Sequence, residues 1–74
     1  MAPSLPVISG NEAIRALQRL GFVVVRQRGS HIVLRKGCQG CVVPNHRELK
    51  TGMLAGLLKQ GEVSVDDFIA ALNA

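Results

Sequence analysis

The chain has 74 residues, a formal net charge of +4, 47% hydrophobic residues and only two aromatic residues, both Phe. That hydrophobic share excludes a disordered chain, and the length allows one small domain whose core is built from Val, Leu, Ile and Ala. No segment reaches membrane-spanning length, the first residues do not read as a secretory leader, and two cysteines are too few for a disulfide framework; the expectation is a cytoplasmic protein.

The elements follow in chain order. Residues 1–8, MAPSLPVI, carry two prolines and no periodicity and read as a flexible N-terminal arm, leaving residues 9–74 as a single domain. SGNEAIRALQRLGF predicts a helix. Ser9 is placed to cap it, Glu12 completes a capping box, Ala13, Ile14, Leu17 and Leu20 form an apolar stripe, and Gly21 supplies the stop.

FVVVRQR is β-branched and strand-like, Gly29-Ser30 is a two-residue hairpin turn, and HIVLRK is the return strand. GCQG reads as the next turn, with CVVPN as a third strand ended by Pro44. KTGMLAGLLKQG predicts a helix with Thr51 as a candidate cap, Leu54, Leu57 and Leu58 buried, and Gly61 at its end. SVDDFIAALNA begins with another cap, Ser64, and buries Phe68, Ile69 and Leu72.

The order α-β-β-β-α, with a short extra C-terminal helix, predicts an α+β domain: a three-stranded antiparallel sheet with helices on one face. Alternation along the second strand makes Ile32 and Leu34 the core pair and turns His31, Val33 and Arg35 outward. The charge is regional. Between Arg15 and Lys50, eight cations stand against Glu48 alone, whereas the tail carries Glu62, Asp66 and Asp67 against Lys59. A concentrated basic region suits a polyanion, most directly nucleic acid, and with so few aromatics the recognition would run through backbone and shape.

His31 is the first candidate for chemistry. An imidazole titrates near neutral pH and here follows a tight turn among cations that would attract a phosphodiester. Composition alone favours a plain strand residue facing water. Arg26, Arg28, Ser30, Arg35, Lys36, His46 and Lys50 are the candidate RNA-binding groups, and His46 is a second imidazole, fifteen positions beyond the first. Cys38 and Cys41 have the spacing of half a zinc site, but no second pair exists and a hairpin is the wrong setting for a redox thiol pair; two small residues at a turn is the favoured reading.

Taken in order, LGFVVVRQRGSHIVLRK and CVVPNHRELKTGMLAGLLKQ resemble the HicA toxin family, also called YcfA-like, from about Glu12 to Phe68. The resemblance implies a double-stranded-RNA-binding-like fold and a type II toxin that cleaves mRNA without the ribosome. It implies inhibition by a HicB-type antitoxin, in a monomer or an antitoxin-bound hetero-oligomer, with the histidine after the Gly-Ser turn, His31, as the catalytic residue. The combined expectation is a metal-independent endoribonuclease without cofactors. The alternative is a non-catalytic RNA-binding or protein-interaction module of the same fold.

Overall fold

A computed structural model describes residues 4–74. Helix α1 spans Gly10–Arg19 and begins with the expected capping box: the Glu12 amide donates to Ser9 Oγ, and the Ser9 amide donates to Glu12 Oε1, each at 3.1 Å. Two of the helix's orphan donors are thereby satisfied, a contribution of about 1 kcal/mol for the cap. The helix buries Ala13, Ala16 and Leu17, while Ile14 and Leu20 pack at the rim. At its end Gly21 takes φ +101° and turns the chain into buried Phe22.

Strands β1 (Val23–Arg28), β2 (His31–Lys36) and β3 (Gln39–Pro44) form an antiparallel sheet in the order β1-β2-β3. Gly29, at φ +57°, opens the first turn, in a left-handed backbone region that glycine enters without the steric cost of a Cβ. The second turn is Gly37-Cys38, so β3 begins two residues earlier than CVVPN suggested. Gln39 and Gly40 pair with Lys36 and Arg35 and are strand, not turn.

Helix α2 (Thr51–Gln60) buries Leu54, Leu57 and Leu58 as expected. Its N-cap is Lys50 rather than Thr51, which already belongs to the helix, and no side chain accepts from the first turn. Gly61 closes α2 with an ordinary φ of −83°; the left-handed residue is Glu62, at φ +57°. Helix α3 (Val65–Leu72) is capped by Ser64, whose hydroxyl accepts from the Asp67 amide at 3.1 Å. It buries Phe68 and Ala71, with Ile69 and Leu72 only half-buried. The Arg19 guanidinium donates to the Ala71 carbonyl at 2.8 Å, tying the end of α1 to the last turn of α3, where carbonyls lack helical partners.

All three helices lie on one side. Ile32 and Leu34 of β2 and Cys41 and Val43 of β3 meet Ala13, Ala16 and Leu17 of α1, the leucines of α2 and Phe68 of α3 in one core. Fully burying side chains such as Leu17, Leu34, Leu54, Leu58 and Phe68 contributes about 1.5–3 kcal/mol each. The leader also meets this core. Leu5 packs against it, Ile8 is buried and forms an isolated bridge with Leu49, and the Leu49 amide donates to the Ile8 carbonyl at 2.6 Å. Residues 1–3 of the expected arm lie outside the described residues. Among those described, no helix is long and apolar enough to cross a membrane.

Candidate functional site

The face of the sheet away from the helices is built by alternation and by one irregularity. In β2, Ile32 and Leu34 point into the core, which turns His31, Val33 and Arg35 outward. Pairing carries this assignment to the neighbouring strands, because directly opposed residues share a face. Arg28 opposes His31, Arg26 opposes Val33 and Val23 opposes Arg35 on one side; Pro44, Val42 and Gly40 do so on the other.

That register depends on a bulge in β1. Val24 pairs with Leu34 and Arg26 pairs with Val33, so Val25 has no partner. Strict alternation from Val24 would send Arg26 and Arg28 to the helix side. The extra residue resets the alternation and brings both guanidinium groups to the face of His31. An open depression of about 310 Å³ on this face is lined by Val25, Arg26, Val33 and Arg35.

The outer face therefore has rows. Arg28, His31 and Pro44 lie side by side at about 4.8 Å spacing, and the next row, with Arg26, follows at about 6.6 Å along the strand. Arg35 stands about 13 Å from His31 on this measure. No strand of the sheet contains Asp or Glu. His31 is exposed, and among the described residues no side-chain hydrogen bond engages its imidazole. Its backbone is nevertheless rigidly placed, as the first residue of β2 next to a two-residue turn.

His46 is held at the same end of the sheet by its backbone. The Asn45 amide donates to the Ser30 carbonyl at 2.6 Å, the His46 amide to the Pro44 carbonyl at 2.9 Å, and the Gly10 amide to the His46 carbonyl at 2.8 Å. The loop is thus pinned between the first hairpin and the start of α1, with the His46 side chain exposed. Gly10 is required there: a Cβ would come within 2.6 Å of the Pro44 carbonyl oxygen and 2.8 Å of Asn45 Cα.

The remaining candidates are placed elsewhere. Ser30 is exposed in the turn beside His31. Lys50 belongs to the helical layer, as the N-cap of α2. Lys36 shares the parity of Ile32 and Leu34, about 17 Å along β2 from His31. It lies alongside Gly21 and lines a recess with Gln39, Glu62 and Asp67, whose carboxylates oppose an anionic ligand. The structure thus groups Arg26, Arg28, His31 and Arg35 on one face, with His46 on a loop at one end, and sets Lys36 apart.

The two cysteines do not converge on a shared site. Cys41 is buried beside Phe22 and Gly61, and burial pushes its thiol pKa up; Cys38 is exposed in the Gly37-Cys38 turn. Among the described residues, no group of three or more His, Cys, Asp and Glu side chains is arranged to hold a metal ion. Two contributors had little or no signal in the sequence. The bulge left only the unalternating run of three valines as a trace, and Ala16 is a core residue beyond the stripe read from the periodicity.

Architecture and site together define a small α+β domain that covers one sheet face with helices and offers on the other an exposed histidine among arginines. A family model described as "HicA toxin of bacterial toxin-antitoxin" matches residues 10–63, from the first residue of α1 past the end of α2. The chain belongs to this family of toxins from bacterial toxin–antitoxin systems, and membership implies an antitoxin partner. No curated protein and no solved structure matches the chain.

Proposed function

We propose that this toxin is a metal-independent endoribonuclease that cleaves mRNA in the cytoplasm without the ribosome, and that a HicB-type antitoxin neutralises it. The observation that supports this reading most directly is the row Arg28–His31 on a sheet face free of carboxylates. An imidazole next to a guanidinium suits proton transfer beside a bound phosphodiester.

In the proposed reaction the ribose 2′-oxygen attacks the adjacent phosphorus and loses its proton to His31. The bond from phosphorus to the 5′-oxygen breaks, leaving a cyclic phosphate on one fragment. The departing 5′-oxygen takes a proton, either from the protonated His31 or from a second donor, for which the candidate is His46, on the loop whose Asn45 amide donates to the Ser30 carbonyl. Arg28 and Arg26 hold the non-bridging oxygens and offset charge that grows in the transition state. Arg35 engages the strand further along the face.

The test is cleavage of a defined mRNA by purified protein in the presence of EDTA. His31→Ala is expected to lower the rate by about 10²–10⁴-fold, the usual contribution of a positioned acid or base, while RNA binding persists. Undiminished cleavage by the variant would remove His31 from proton transfer. Binding by the wild type with no turnover would identify a binding module instead.

A further inference from the structure

The sheet has two very different edges. β3 lies against α2 and α1, whereas β1 has no extensive packing against any helix and, within the sheet, pairs only with β2. All six β1 residues are exposed, including three consecutive valines: Val23 at 61%, Val24 at 38% and Val25 at 54%. Val24 stays accessible although it lies on the helix side, opposite buried Leu34, because the helical layer does not extend under β1. The strand is therefore open along its free edge as well as on its faces.

Natural proteins cover or blunt such an edge, since its unpaired backbone groups invite another strand. We propose that the β1 edge is the docking site of the antitoxin, which adds a strand bearing branched apolar side chains opposite the valines and carboxylates opposite Arg26 and Arg28. The inference rests on the antitoxin half of the function proposed above and not on its ribonuclease half.

Charge complementarity selects this occupant. A second copy of the chain pairing β1 with β1 would crowd Arg26 and Arg28 of both copies into one small sheet, a like-charge arrangement that disfavours association. RNA has no groups that continue a backbone ladder in register and gains nothing from three valines. An acidic, apolar strand satisfies the edge, covers the valines and neutralises the arginines together. Because Arg28 lies in the row of His31 and Arg26 in the next, such docking strips the positive charge from the site as well as blocking approach to it.

Hydrogen–deuterium exchange on the full chain, alone and mixed with its purified cognate antitoxin, tests this. Amides of Val23–Arg28 are expected to exchange at least about tenfold more slowly in the complex. Val23→Glu combined with Val25→Glu, at two exposed positions, is expected to weaken antitoxin binding by about tenfold or more, with the melting temperature of the free chain little changed. Protection that spares β1, a double variant that binds as wild type does, or failure to form a complex would each overturn the proposal. So would protection of β1 in a dimer of the chain alone, or the same protection produced by an RNA oligonucleotide. A chain that cleaves no RNA, yet shows β1 protected by the antitoxin, would sink the ribonuclease reading and support this one.

Discussion

Gly10→Ala sets two physical effects against each other. Position 10 is the first residue of α1, where alanine is favoured over glycine by at most about 1 kcal/mol on helix propensity. Against this, the new methyl would lie 2.6 Å from the Pro44 oxygen, 2.8 Å from Asn45 Cα and 3.1 Å from the His46 nitrogen. All three are backbone atoms, and the loop that carries them is tied to Ser30 and to Gly10 itself by hydrogen bonds of 2.6 and 2.8 Å. The neighbours cannot swing aside as a long side chain would, so the overpacking cost belongs toward the top of its usual range of about 1–3 kcal/mol. The net expectation is a loss of about 1–2 kcal/mol, or a fall in melting temperature of roughly 5–15 °C for a domain of this size. Thermal unfolding followed by circular dichroism reads this directly. A melting temperature that is unchanged or higher would refute the close approach and leave propensity in charge. The same substitution should disturb the His46 loop while leaving His31, which is anchored in β2, in place.

Two further outcomes follow from the register and from burial. Deleting Val25 removes the bulge and lets Arg26 follow Val24 directly, so regular alternation is expected to keep Arg26 and Arg28 on the face of His31. The slope of log K for RNA binding against log salt should then match that of the wild type; a change of roughly 1–2, the equivalent of two phosphate contacts, in a folded variant would contradict the bulge assignment. Iodoacetamide should label exposed Cys38 readily and Cys41 only on unfolding, since burial holds the Cys41 thiol in its protonated, unreactive form. For the same reason the unfolded chain loses that proton at lower pH than the folded one, so this group subtracts stability only as pH climbs past about 8.5. Equal labelling of the two thiols in the native protein would count against the buried placement.

The parts of this fold that were legible in the sequence are those written within a few residues of one another. Ser9 and Glu12 specify the start of α1 because the two hydrogen bonds they make reach only three residues. Ser64 does the same for α3, and Gly29-Ser30 specifies a hairpin because only the backbone of those residues must bend. The inward Ile32 and Leu34, and with them the outward His31, follow from the two-residue period of a strand. The remainder depends on partners far apart in the chain. Whether Arg26 and Arg28 stand beside His31 or beneath it is set by the pairing of Val24 with Leu34 and of Arg26 with Val33, a one-residue slip that no local propensity encodes. Lys36 looks like one more cation of the basic segment until parity and the nearby Glu62 and Asp67 set it apart. Gly10 reads as a weak helix former until the loop from Pro44 to His46 is laid against it. The valines of β1 read only as a strand, and their exposure becomes visible when the helices are seen to stop at β2 and β3. Periodicity within one strand can say which of its residues share a side. Only packing against other elements decides whether that side is covered, and so which surface is left for a partner.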